Sequence, residues 1–155
     1  MATKAILLTL CLAFFAVNAI ESAVVPKYRY LAVLQPSTFF EAWQDCSSEG
    51  GHLASIESRQ EQALVEEAMS KARNEKAVFY IGGTDIGRKG RWVWIGLNKV
   101  LVDESYRNFY PGEPNNLAGH QDCLSIGNWH GYSRGKWDDT ECFTKLDGYI
   151  CAFRA

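Results

Sequence analysis

Trp137-Asp138-Asp139-Thr140-Glu141-Cys142 sets three acids between a tryptophan and a cysteine. Upstream lies a second group of oxygen donors, Glu113, Asn115, Asn116, Gln121 and Asp122, closed by Cys123. Taken alone, Asp138-Asp139 is the composition of a solvated turn. What sets the two groups apart is that each ends at a cysteine. If Cys123 and Cys142 bond to each other, both groups are drawn into one place, a cage suited to a hard cation. Calcium takes oxygens from carboxylate, carboxamide and backbone carbonyl, whereas zinc or copper prefers imidazole or thiolate. Only three His are present, and none shares a helical or strand spacing with another.

The other cysteines depend on the compartment. Lys4 followed by the apolar run Ala5 to Val17 and by Val17-Asn18-Ala19 has the charged start, short apolar middle and small-residue end of a secretory signal, with cleavage expected after Ala19. The run is shorter than the ~20 residues a spanning helix needs, so no membrane insertion is expected. Residues 1–19 are thus read as a signal peptide and 20–155 as one mature, secreted, extracellular domain. Cys11 leaves with the signal, and Cys46, Cys123, Cys142 and Cys151 remain, an even number that predicts two disulfides in an oxidising compartment. Spacing does not choose among their pairings. A nested pattern, Cys46 with Cys151 around Cys123 with Cys142, would contribute roughly 4 to 5 kcal/mol from the long bridge and about 3 from the short one. The chain has no Cys-x-x-Cys pair, which argues against zinc.

A length of 155 residues suits one domain, and 47% hydrophobic with 22% charged residues describes an ordinary globular protein. A formal charge of -2 argues against a nucleic-acid partner, which calls for a basic stripe. Strands are predicted over 27–34, 52–56, 78–81, 91–94, 123–126 and 149–153. The first helix is predicted after a capping box of Thr38 and Glu41, with Phe39, Ala42, Trp43 and Cys46 on one face and Gly50-Gly51 as its stop. A second box of Ser58 and Glu61 opens a helix through Leu64, Val65, Ala68 and Met69 to about Arg73. Residues 108–121 and 128–139 read as long loops, and they hold most of the oxygen donors. Helices first and short strands afterwards give an α+β class.

With these motifs in order, the chain resembles the C-type lectin carbohydrate-recognition domain. The resemblance is carried by Tyr80-Ile81-Gly82-Gly83, Trp92-Val93-Trp94, Gly112-Glu113-Pro114-Asn115, Asp122-Cys123, Trp137-Asp138-Asp139 with Cys142, and Tyr149-Ile150-Cys151. It implies a C-type lectin-like fold of two helices, short antiparallel strands and a long calcium-binding loop region. It also implies the nested disulfides Cys46–Cys151 and Cys123–Cys142, the short form of the domain and no enzymatic activity. Carried over by position, the resemblance implies a calcium site of Glu113, Asn115, Gln121, Asp138 and Asp139, with the Asp139 main-chain carbonyl. Glu113, Asn115, Gln121 and Asp138 would also meet two hydroxyls of a sugar at the open vertices of the ion. Glu113-Pro114 is expected to be cis, a geometry confined almost wholly to bonds before proline.

The commonest pattern of this family has Glu at 121 and Asn at 138, exchanged here for Gln121 and Asp138. Glu113, Asp138 and Asp139 still supply three acids, so calcium binding is expected to survive. Glu-Pro-Asn resembles the mannose type, which takes vicinal equatorial hydroxyls as in mannose, fucose and N-acetylglucosamine. Trp129, His130 and Tyr132 are candidates for an added stacking face. An accessory calcium site of some relatives maps to Asp85, Lys89, Asn116 and Asp122, and Lys89 predicts that it is empty or weak. Arg88-Lys89 otherwise read as exposed charges, Trp43, Trp92 and Trp94 as core, and His52 as a packed strand-edge residue.

The function expected is calcium-dependent recognition of terminal sugars on microbial or self glycans, as in innate immunity. A single site of this kind binds at about 1 mM, so a homo-oligomer or a multivalent ligand is implied. The alternative from another class is the same fold binding a protein or other surface without calcium or sugar. A hydrolase using Glu113 with Asp138 or Asp139 ranks below both, because no nucleophile motif accompanies them.

Overall fold

The computed structural model describes residues 25–128 and 135–155. The expected signal peptide and Trp129, His130 and Tyr132 lie outside them. Strand β1 (Tyr28–Val33) pairs antiparallel with β8 (Gly148–Arg154), from Tyr28 opposite Arg154 to Val33 opposite Tyr149. Helix α1 (Phe39–Ser48) starts at the complete Thr38/Glu41 capping box: Thr38 Oγ1 accepts from the Glu41 amide at 3.3 Å, and Glu41 Oε2 accepts from the Thr38 amide at 2.7 Å. The helix stops where Gly50 takes a left-handed φ of 78°, a conformation that costs glycine little. Phe39, Ala42 and Cys46 form its buried stripe. Trp43 does not join the core as expected. It is 39% exposed and flanks a surface groove beside Phe40, because the stripe that α1 buries is narrow.

Helix α2 (Arg59–Lys71) buries Gln62, Val65, Ala68 and Met69, with Leu64 at the margin. Its capping box is only half formed. Ser58 Oγ accepts from the Glu61 amide at 3.1 Å, but Glu61 Oε2 accepts from the amide of Glu57, one residue before the cap, at 2.6 Å. The helix ends earlier than Arg73, which is already left-handed at φ 57°.

Central strand β3 (Val78–Thr84) is buried throughout and runs parallel to β8 and antiparallel to β4 (Val93–Trp94) and β6 (Cys123–Gly127). β2 (His52–Leu53) pairs with β8, and β5 (Lys99–Val100) with β4. Two predicted strands, 52–56 and 91–94, are therefore only two residues long. The larger correction is β7 (Trp137–Thr140), a strand antiparallel to β6 where the sequence reads as loop up to residue 139. Its acids carry no strand propensity; pairing with buried β6 and the packing of Trp137 override that. Trp137 meets Trp94 edge-on at 5.4 Å, with Phe109 at 5.4 Å and Tyr106 at 5.8 Å on its other edges. Trp92 and Trp94 are core residues as expected, and His52 is half-buried with its ring edge-on to Tyr28.

Both disulfides have the nested pairing. Cys46–Cys151 ties α1 to β8, and Cys123–Cys142 closes the ends of the β6–β7 hairpin. Among the described residues, no helix is long and apolar enough to cross a membrane.

Candidate functional site

The site is built on β7. The buried Trp137 indole donates from Nε1 to Gln62 Oε1 on α2 at 2.9 Å, which fixes the strand in rotation as well as position. The following residues alternate across the sheet, so Asp138 opposite Ser125 is half-buried and Asp139 opposite Leu124 is 1% exposed. The incoming loop is attached to the same strand. Trp137 donates its amide to the Asn108 carbonyl at 2.9 Å, Tyr110 donates to the Trp137 carbonyl at 2.8 Å, and Glu113 donates to the Tyr110 carbonyl at 3.0 Å. The segment after Tyr110 is thereby turned back over the acids, with Glu113-Pro114 cis.

Three of the five predicted metal ligands converge: carboxylate oxygens of Glu113, Asp138 and Asp139 lie within 4.8 Å of one another. Asp139 also fixes the loop, since Oδ1 accepts from the Asn115 amide at 3.0 Å and Oδ2 from the Asn116 amide at 2.7 Å. Asn115 Nδ2 donates to Glu113 Oε1 at 2.8 Å. Gln121 bridges the remaining gap, donating from Nε2 to the Asp139 carbonyl at 2.7 Å and accepting at Oε1 from the Leu117 amide at 2.6 Å. Thus all five residues line one patch, with the carboxamides of Asn115 and Gln121 turned onto neighbouring oxygens.

Crowding raises the Glu113 carboxyl to about 7. Loss of hydration on burial is the largest cause, followed by its hydrogen bond with Asp139 and the negative charges of Asp138 and Asp139. Three carboxylates that close repel one another unless a proton or a cation enters among them. Their hard oxygen chemistry, the adjoining carboxamides and the lack of imidazole or thiolate among the described ligands fit calcium.

Beneath the loop lies a second oxygen group, at the place where the resemblance maps an accessory calcium site expected to be empty or weak. Asp85, Asn116, Gln121 and Asp122 contribute oxygens to one place, and the Lys89 ammonium enters it. Lys89 is therefore not an ordinary exposed charge; the signal in the sequence was its spacing of four from Asp85, ahead of Asp122. Gln62 was missed as well, because a glutamine on a helix carries no mark of what it holds.

A long loop folded onto a disulfide-closed hairpin thus brings the carboxylates of Glu113, Asp138 and Asp139 to one place in an α+β domain. The chain belongs to the C-type lectin family, whose domain matches residues 35–153, and which is a family of carbohydrate-binding, non-enzymatic domains. It is 31% identical over 111 residues to a perlucin-like protein of Mytilus galloprovincialis, covering 72% of this chain and 67% of that one. It is 32% identical over 118 residues to E-selectin of Canis lupus familiaris, covering 76% of this chain but only 18% of that much longer protein. The fold superposes with a TM-score of 0.69 on the cow CD23 C-type carbohydrate-recognition domain, determined in the presence of a GlcNAc2Man3 oligosaccharide. Identity there is 27%, with 84% of this chain and 91% of that one covered.

Proposed function

We propose that this chain is a secreted, calcium-dependent lectin for terminal sugars with vicinal equatorial hydroxyls, of the mannose, fucose or N-acetylglucosamine type. The observation that carries the reading is the convergence of Glu113, Asp138 and Asp139 within 4.8 Å beside the carboxamides of Asn115 and Gln121. Glu113, Asn115, Gln121, Asp138 and Asp139 would hold the ion, which supplies open vertices for two neighbouring hydroxyls. Glu113 and Asp138 would then accept hydrogen bonds from those hydroxyls, while Asn115 and Gln121 would donate amide hydrogen bonds to their oxygens. For that, the Asn115 amide leaves Glu113 and the Gln121 carboxamide turns from Leu117. Asp139, buried and holding two backbone amides, keeps the loop in register and stays out of the sugar's reach.

The resemblance of Glu-Pro-Asn to the mannose type and the mannose-containing oligosaccharide present with the cow CD23 domain favour this class of sugar. The exchange of Gln121 and Asp138 keeps one acceptor and one donor at the second hydroxyl. At about 1 mM per site, useful binding calls for several copies or a multivalent glycan, as on a microbial surface. The test is retention on mannose-agarose in millimolar calcium and release by chelator. A chain that passes through unretained in calcium, or one held equally in chelator, overturns the proposal; the former result would favour the alternative that binds a surface without calcium or sugar.

A further inference from the structure

We infer that Lys89 serves as a built-in cation: its ammonium fills the oxygen cage of Asp85, Asn116, Gln121 and Asp122 and positions the loop carrying Glu113, Asn115 and Gln121, so that one calcium ion is enough. The inference rests on the proposed function for its reference to calcium. Its geometry stands independently.

Lys89 Nζ donates to the Gln121 carbonyl at 2.9 Å and to Asn116 Oδ1 at 3.0 Å, and forms an ion pair with Asp122 Oδ1 at 2.5 Å. Two hydrogen bonds and the closest ion pair of the ammonium are all directed at the loop. The fourth oxygen, Asp85 Oδ1, is consequently left over. It lies 3.6 Å from Nζ, in a side chain 1% exposed, and no hydrogen bond reaches it. Asp85 Oδ2 is satisfied by the Gly90 amide at 2.6 Å. A buried carboxylate oxygen held near a positive charge without a hydrogen bond marks a place arranged for a cation rather than a hydrogen-bond network.

The cage is linked to the sugar site by shared atoms. Asn116 Oδ1 accepts from both Lys89 and the Gln121 amide, the latter at 3.2 Å, while the Asn116 amide donates to Asp139. Asn116 is left-handed at φ 49°, a conformation that needs support from its surroundings. From below, Asp85 donates its amide to the Asp122 carbonyl at 3.1 Å, and Thr84 Oγ1 donates to the same carbonyl at 2.6 Å. Lys89 thus holds residues 116, 121 and 122 against β3 and the turn after it.

The experiment compares the wild-type chain with Lys89→Met and Lys89→Asp by calcium calorimetry and by hydrogen exchange in chelator. The wild-type chain is expected to bind one calcium ion and to protect residues 115–122 without it. Lys89→Met should raise exchange of that segment and weaken calcium about tenfold, while exchange of β3 stays unchanged. Lys89→Asp adds a third acid to the cage and should raise the stoichiometry from one ion to two. A wild-type chain that binds two ions overturns the inference, as does a Lys89→Met chain with unaltered loop exchange. If the wild-type chain binds no calcium, the proposed function fails, and loop exchange in chelator alone then decides whether Lys89 positions the loop.

Discussion

Asp139 has two tasks that a substitution can separate. Its oxygens take the Asn115 and Asn116 amides, and its charge belongs to the acid cluster. Asp139→Asn keeps the shape but removes the charge and one acceptor, so calcium affinity should fall by at least about a hundredfold, equivalent to roughly 2.8 kcal/mol, in a calorimetric titration. Glu113 gives a pH dependence of definite sign. Its folded value of about 7 lies above the ordinary 4.5, so without ion the fold holds this proton more tightly than the unfolded chain does. Its contribution is fully present below pH 4.5 and is lost as pH rises through about 7. Under the proposed function calcium would take the place of the proton, so the rise in Tm on adding calcium should grow from pH 5 to pH 7.5. An increment flat across that range would detach Glu113 from the ion. The site acids were legible in the sequence because of their positions around Pro114, Trp137 and Cys142. Lys89 was legible only in part: its spacing from Asp85 places it at the second oxygen group, but nothing in a charged pair such as Arg88-Lys89 says that its ammonium turns inward onto the loop.

At the scale of elements, capping chemistry was the most legible part of the sequence and β7 the least. Thr38/Glu41 and Ser58 mark both helix starts by local rules, and both starts are where those residues place them. β7 exists by tertiary contact: its polar residues become a strand only once Trp137 is seated among Trp94, Tyr106 and Phe109 with Gln62 as its partner. Gln62→Leu should accordingly strand a buried indole N–H, lower stability by about 1 to 3 kcal/mol in chemical denaturation, and weaken sugar retention through β7 alone. Loss of stability without loss of retention would mean that β7 holds its acids without help from α2. β2 contributes a second pH effect. Burial, and then the charge of Lys27, hold the His52 imidazole below its ordinary 6.5, so the unfolded chain takes up this proton first. Stability from this group is present above pH 6.5 and is lost as pH falls from there to the lowered folded value. Thermal melts of His52→Phe, whose ring preserves the contact with Tyr28, should be flatter than wild type across pH 5 to 6.5.

On the scale of the whole molecule the two disulfides do different work, and their separation in sequence predicts how. Cys46–Cys151 spans 105 residues and joins α1 to the strand that pairs with β1, so it restrains nearly the entire domain. Cys123–Cys142 spans 19 and closes only the hairpin whose second strand carries Asp138 and Asp139. Chain entropy gives the outer bridge roughly 4.7 kcal/mol and the inner one about 3. The outer bridge joins two elements, α1 and β8, that carry none of the three clustered acids. Cys46→Ala with Cys151→Ala should therefore give the larger fall in Tm and, at a temperature where that chain is still folded, leave calcium affinity close to wild type. Cys123→Ala with Cys142→Ala should give the smaller fall in Tm and the larger loss of calcium, because β7 then loses its covalent tie to β6 while three acids repel one another beside it. The opposite ranking in either measurement would show that stability and binding are drawn from the same contacts. The expected ranking would show them separable: one covalent loop sustains the fold, and the smaller one inside it keeps mutually repelling oxygens close enough to share an ion.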